Sequence, residues 1–379
     1  MAATQDGTRS FSFRAFGQGI AVAALLYALA AAWVFLNAGK MAEDLSGRLA
    51  SQTVVLEWGS PFSETGPPLA EKMGPFQEIP VLPEPAHAEP EHAAAPEHAE
   101  PAHPKNVTIM ESGLAQAPIE GLFEETDQGR MPKARAKDGL TPFKGYRRSF
   151  DLYASNAPLV SIAIVGLGLS DVATESAVRT MPPEISLVIS PYAAAVDFWI
   201  TESRARGHEV WLTLPMESKS YPQHDTGPHT MLIGAPEREN RTKMDWLMTC
   251  GAGYVGFVTS YNPDFMKSVG DMRPVVGNVY NRGLAFVDGS AEPGTTPQTM
   301  ASAMKAPYSN IDVWIDAPDA SEEVIKESLK RLEEIARDKG VAVGVIQALP
   351  VSYQQILTWT ESLSGKGLRL APLSAATGF

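Results

Sequence analysis

From Leu159 onward, short runs rich in β-branched residues alternate with longer helical stretches, and no other feature constrains the fold as much. The runs are Val160–Val165, Ile185–Ile189, Glu209–Leu214, Gly253–Val258, Leu284–Val287, Asp312–Ile315, Val341–Ile346 and Leu368–Ala371. Strands that alternate with helices build a mostly parallel sheet covered on both faces. The clearest helix spans Ser321 to Lys339, where Val324, Leu329, Leu332 and Ile335 share one face. Ser321 is placed to cap it, Glu322 and Glu323 suit its positive first turn, and Gly340 closes it. About 220 residues remain from this point, ample for one sizeable core. The pattern predicts an α/β domain over residues 158–379, best fitted by a (β/α) barrel, with an open doubly wound sheet as the alternative. Gly166-Leu-Gly168 follows the first strand but lacks the third glycine of a dinucleotide fingerprint, and no acid ends the second strand.

The residues before the domain read differently. Phe16 to Leu36 is apolar apart from Gln18 and has the roughly 20 residues that a membrane-crossing helix needs. It is longer than the centre of a cleaved signal peptide and ends in Trp33, Phe35 and Asn37, which predicts an uncleaved anchor. Arg9 and Arg14 precede it, whereas Glu43 and Asp44 offset Lys40. The positive-inside rule then gives a cytoplasmic tail over 1–15, an inner-membrane single-pass helix over 16–36 and a periplasmic remainder. Residues 37–104 form a Pro/Ala/Glu/His-rich linker with eleven prolines from Pro61 to Pro104, a composition that forbids a helix and cannot build a core. His87, His92, His98 and His103 lie in it with nothing to fix their geometry. Residues 105–157 form an arm whose stretch Thr141–Phe150 carries three aromatics and is expected to pack onto the domain. A net charge of −13 argues against a nucleic-acid partner. The single cysteine, Cys250, excludes an intramolecular disulfide framework.

In a parallel barrel the chemistry belongs at the C-terminal strand ends. Those ends carry Gly166, Leu167 and Gly168; Ser190 and Tyr192; Leu214 to Glu217, then a loop with His224, Asp225 and His229; Thr259, Ser260 and Asn262, with Asp264 beyond; Asp288; Asp316; Gln347; and Ser374. The rim reads as polar and acidic, with Glu217, Asp288 and Asp316 the inward carboxylates and Tyr192, Tyr261 and Trp314 possible sugar platforms. Candidate ligand-binding residues are Glu217, Asp225, His229, Asn262, Asp288, Asp316 and Gln347. Each strand-end carboxylate has an equally common role as a cap or loop fastener. His208, at the start of its strand, reads as structural.

Several stretches, in order, resemble the divergent polysaccharide deacetylases, a bacterial envelope family related to the NodB-like carbohydrate esterases. They are Ile162-Ala-Ile-Val165 with Leu167-Gly-Leu-Ser170, Gly207-His-Glu-Val-Trp-Leu-Thr-Leu-Pro-Met-Glu217, Asp225-Thr-Gly-Pro228, Gly253-Tyr-Val-Gly256, Arg282-Gly-Leu-Ala-Phe-Val-Asp288 and Leu370-Ala-Pro-Leu-Ser374. The resemblance implies a distorted (β/α) barrel of NodB-like type and a sugar-related ancestry. It also exposes departures. Where metal-binding members carry an Asp-Asp pair, this chain has Val165 and Gly166. A histidine common before the Leu-Pro-Met-Glu block is Thr213, and a Gly-His-Pro-His-Pro run is Ile346-Gln-Ala-Leu-Pro350. Those side chains cannot hold a catalytic ion or act as its base.

The expectation is therefore a pseudoenzyme with no metal and no cofactor, binding a glycan or peptidoglycan fragment or an envelope protein. A metal site rebuilt from His224 and His229 lacks a third ligand on a rigid element, and no strand-end histidine serves Ser190, Ser260 or Ser290 as a base. The enzymatic alternative is a hydrolase using Glu217, Asp288 and Asp316, which requires two carboxyls facing one cleft. A protein-docking scaffold would instead show an exposed apolar patch at the rim.

Overall fold

The computed structural model describes residues 109–378. The predicted span Phe16–Leu36 and the linker lie outside them. No helix among the described residues is long and apolar enough to cross a membrane.

The chain enters through a hairpin, β1 (Phe123–Thr126) and β2 (Gly129–Pro132), and a short helix α1 (Pro142–Tyr146). Strands and helices then alternate: β3 (Leu159–Leu167), α2 (Asp171–Thr180), β4 (Ser186–Ile189), α3 (Val196–Ala205), β5 (Val210–Leu214), α4 (Glu237–Met248) and β6 (Gly256–Thr259). There follow α5 (Pro263–Lys267), α6 (Val269–Asn281), β7 (Ala285–Asp288), α7 (Thr296–Met304), β8 (Tyr308–Asn310) and β9 (Val313–Trp314). The chain ends with α8 (Glu322–Lys339), β10 (Val341–Gln347), α9 (Pro350–Ser362), β11 (Arg369–Leu370) and α10 (Leu373–Ala376).

The large sheet is wholly parallel, in the order β8-β7-β6-β5-β4-β3-β10-β9. Its two ends are one pass of the chain. Ile311 N–H donates to the carbonyl of Asp288 at 2.8 Å, and Asp312 N–H to that of Val343 at 2.9 Å, so the segment after β8 leaves β7 and joins β10. A sheet whose edges are bridged in this way is curled, and the open doubly wound alternative falls.

The two-residue period of the strands sorts the core into two layers. Val160, Ile162 and Ile164 of β3 and Val210, Leu212 and Leu214 of β5 face the helices. Ala163, Val188, Trp211, Val258, Val287, Val343 and Val345 fill the inside of the curl. The same inner cluster contains Ile119, Leu122, Phe143 and Tyr146 from the arm and Leu373 and Ala376 from α10. The arm thus packs against the sheet, as its aromatics suggested.

Helix α8 begins at its predicted cap, where Ser321 Oγ accepts from Val324 N–H at 3.4 Å. Its buried stripe is Ile325, Leu329, Leu332 and Ala336 rather than one running through Val324 and Ile335. The eighth predicted strand needs a larger correction. β11 pairs with Leu159 and Val160, the first residues of β3, so Ser374 lies at the end opposite the one where the other strands finish.

Candidate functional site at the barrel mouth

The C-terminal ends of the parallel strands converge on a cleft of about 370 Å³. β3 and its following turn supply Val165, Gly166 and Leu169, and the turn after β4 supplies Ser190, Pro191 and Tyr192. Thr213, Leu214 and Pro215 come from β5, with Thr226 from its loop, and Val258, Thr259 and Ser260 from β6. Trp314 and Gln347 complete it. Val165, Val258 and Trp314 belong to the inner layer, so the cleft is the open mouth of the curl. Trp314 is held in place by a hydrogen bond from its Nε1 to the carbonyl of Gly289 at 3.1 Å.

Among the described residues no Asp, Glu, His, Lys, Arg or Cys lines this cleft. The carboxylates expected at the rim do not reach this lining, and each has at least one oxygen engaged by the backbone or a hydroxyl, while Asp316 Oδ1 is buried without a partner among the described residues. Glu217 Oε2 accepts from Ile233 N–H at 3.0 Å. Asp225 Oδ1 accepts from Gly227 N–H at 3.0 Å and from Thr230 Oγ1 at 3.1 Å. Asp288 is fully buried, with Oδ1 accepting from Ser290 N–H at 2.8 Å and Oδ2 from the Tyr308 hydroxyl at 3.3 Å. Asp316 Oδ2 accepts from Gln347 N–H at 2.8 Å and Ser352 Oγ at 2.7 Å. Although Trp314 and Asp316 are two residues apart, only Trp314 reaches the cleft. Strand ends demand such fasteners, because the ladder stops there and its free N–H groups need acceptors.

Asn262 caps α5 by accepting from Phe265 N–H at 3.1 Å, and its Nδ2 donates to the carbonyl of Glu217. His229 stacks face to face on Trp246, with ring centroids 3.6 Å apart, and burial lowers its pKa. It lines a separate groove with Pro228 and Pro236. His224 is exposed and bonds Ser220 Oγ at 2.8 Å. Among the described residues no three His, Cys, Asp or Glu side chains gather as a metal site requires. Of the predicted binding residues only Gln347 lines the cleft, together with the aromatics Tyr192 and Trp314.

The motifs turn out to be largely architectural. His208 Nδ1 pairs with the carbonyl of Ile185 at 2.8 Å. Glu209, fully buried at the start of β5, accepts from Arg148 N–H at 2.7 Å, from Ser374 N–H at 3.1 Å and from the Ser374 hydroxyl. Burial pushes this carboxyl's pKa up, while the donors that meet it pull the other way. The Gly-His-Glu block therefore ties the arm and the C-terminal segment beneath the sheet. In Asp225-Thr-Gly-Pro228 the glycine is needed because Tyr192 covers it, and a Cβ there would lie 2.6 Å from the ring.

The family model for the divergent polysaccharide deacetylases matches residues 162–377. The chain belongs to that family. A crystal structure of an uncharacterized protein from Agrobacterium tumefaciens C58 is similar to it, at 31% identity and a TM-score of 0.61, covering 65% of this chain and 99% of its own. No curated protein matches. With the divergent deacetylase assignment in hand, the departures acquire a location. Val165, Gly166, Thr213 and Gln347, which stand where metal-binding members are expected to carry ligands or catalytic groups, line the one cleft, whereas Leu349, the other such position, is not part of its lining. An isopropyl group, a hydrogen, an alcohol and an amide do not fit a divalent ion that requires imidazole or carboxylate donors. Sequence reasoning named Thr259 at its strand end but missed Leu169, Pro191 and Thr226 of the lining. Thr226 and Leu169 both lie inside matched motifs and Pro191 stands between two residues of a predicted strand end, so the motifs and strand ends were the available signal.

Proposed function

We propose that this divergent deacetylase is a membrane-tethered binding module, a distorted (β/α) barrel of NodB-like type. Its mouth takes an uncharged segment of a glycan such as peptidoglycan without metal-dependent hydrolysis. The observation that carries the reading is the convergence of Val165, Gly166, Thr213 and Gln347 on a single cleft without an ionised side chain. What remains suits a neutral sugar. Tyr192 and Trp314 offer aromatic surface to the apolar face of a ring, and Ser190, Thr213, Thr226, Thr259, Ser260 and Gln347 offer hydroxyl and amide groups to its polar edge.

The test is co-sedimentation of the full-length protein with insoluble peptidoglycan. Trp314→Ala is expected to weaken binding by about tenfold, the loss of roughly 1.4 kcal/mol of aromatic contact. Acetate release from the glycan is expected to stay at background with or without added zinc. Zinc-stimulated acetate release, or binding indifferent to Trp314 in a variant that melts normally, overturns the proposal.

A second reading is favoured by one observation. Leu169, Val172 and Tyr261 stand 66%, 80% and 49% exposed near the same strand ends, an apolar edge suited to an envelope protein. Under that reading a Val172→Asp, Tyr261→Asp double variant, at positions outside the cleft lining, loses its protein partner while glycan binding is unchanged.

The tether rests on the length of Phe16–Leu36 and on Arg9 and Arg14 before it. A reporter that works only in the cytoplasm, fused after Phe379, is expected to be silent. A strong signal from it rejects the periplasmic placement.

A further inference from the structure

The groove between α4 and α6, outside the barrel and away from its mouth, carries charge that the proposed function does not use. A cavity of about 420 Å³ lies there. Its walls bear Arg241 and Asp245 from α4, and Arg273, Asn278, Asn281 and Arg282 from α6 and its C-terminal cap. Each helix returns the chain between parallel strands, so the two run in the same direction. Asn278 Nδ2 donates to Asp245 Oδ1 at 3.2 Å, and this bridge sets their relative level. Arg241 stands four residues before Asp245, and Arg273 five before Asn278. Both arginines therefore sit about one turn beyond the bridge, on facing walls of the same cleft.

The three arginines are not equivalent. Arg282 is held: its Nε donates to Asn278 Oδ1 at 3.2 Å, and its Nη1 to Glu124 at 3.0 Å and the carbonyl of Pro132 at 2.8 Å. Among the described residues Arg241 approaches only one carboxylate, Glu237, at 3.9 Å, beyond hydrogen-bond reach. Arg273 makes no ion pair among the described residues. Two guanidinium groups with free donors thus face one cavity, on a chain whose net charge is −13 and whose surface is not generally basic.

We propose that Arg241 and Arg273 clamp a phosphate group carried by a sugar. A guanidinium fork matches phosphate oxygens two at a time, which a lysine cannot do. Asp245 and Asn281 line the same cavity and are placed to meet hydroxyl groups, so the chemistry suits a phosphorylated sugar better than a bare anion. The cavity also falls in the size range of small-molecule sites, about 300–1,000 Å³. A phospholipid headgroup shares the phosphate chemistry, and the probes below separate the two sources.

The experiment is calorimetric titration of the full-length protein with a hexose 6-phosphate, the unphosphorylated hexose, and water-soluble dihexanoyl phosphatidylglycerol. The hexose phosphate is expected to bind at least about tenfold more tightly than the hexose, and the Arg241→Gln, Arg273→Gln double variant to lose that advantage at unchanged Tm. An Asp245→Asn variant is expected to weaken the hexose phosphate more than the lipid analogue, which lacks the ring hydroxyls. Tighter binding of the lipid analogue, lost in the same double variant, keeps the phosphate clamp and moves its source to a headgroup. Equal affinity for hexose and hexose phosphate, or phosphate binding that survives the double variant, overturns the proposal.

Discussion

Replacing Arg204 by Met is expected to lower the stability of the domain by about 3 kcal/mol, several times what an exposed arginine costs. The side chain is 1% exposed in α3 and forms no ion pair with a carboxylate among the described residues. Its guanidinium instead donates to three backbone carbonyls: Ala115 at 2.6 Å, Tyr146 at 2.8 Å and Gly253 at 3.1 Å. It also stacks over the Tyr146 ring, with its carbon 5.2 Å from the centroid. Burial pulls its pKa down to about 10, which leaves it charged at neutral pH. Two of the three carbonyls lie in the arm and one in the loop before β6, so a single cation ties three segments distant in sequence. Methionine fills much of the volume but donates nothing, and each orphaned carbonyl costs about 1–3 kcal/mol. Relief from burying a charge offsets part of that sum. Urea unfolding of Arg204→Met beside the exposed Arg206→Met measures the difference. Limited proteolysis should show the arm, residues 109–157, cut first. A loss no larger than that of Arg206→Met would mean that the arm is held by apolar packing alone.

That clamp also shows where sequence reasoning stopped. Periodicity located eight strands because a buried strand must be apolar at every position or every second one, and that constraint is local. β8 escaped because Tyr308-Ser-Asn310 is short and partly polar, and its place is set by its pairing with Phe286–Asp288 of β7. β11 was found, and it is parallel like the rest, but its level along β3 was not, since a two-residue strand can pair with either half of a longer one. The carboxylates misled for a related reason. Asp288 and Asp316 sit at the strand ends where a catalytic pair would sit, but a free N–H beside a strand end attracts the same residue. Composition cannot distinguish the two roles, whereas the hydrogen-bond partners do. The absent ligands were more legible than the present ones. Thr213 and Gln347 stood out because their side chains cannot do what the motif around them calls for, and both line the cleft.

Gly256→Ala is expected to cost at least about 3 kcal/mol, a large share of the roughly 5–15 kcal/mol that keeps an ordinary domain folded. Gly256 opens β6, in register with Ala285 of β7. A Cβ built there lies 2.2 Å from the carbonyl oxygen of Ala285, 2.7 Å from its carbon and 2.8 Å from the ring of Trp211. Trp211, the largest fully buried side chain, projects from β5 into the inside of the curl and occupies the room that a methyl group would need. Two responses are open to the variant. The indole could shift, but it is enclosed by Val188, Val258 and Val287 of the same inner cluster. The strands could separate, but β6 and β7 are joined by the hydrogen bonds of their parallel pairing. The shortest contact is with backbone, so trimming Trp211 to Leu in the same variant is expected to restore little and to add a cavity of its own. The damage should also reach the cleft, because β6 carries Val258 and Thr259 into its lining. Gly365→Ala is the control: a Cβ there meets nothing within 4 Å, so its effect should stay within about 0.5 kcal/mol. A Gly256→Ala protein with the parent's Tm would show that β6 and β7 can part at little cost. A Trp211→Leu change that restored stability fully would place the obstruction in the indole instead of the neighbouring strand.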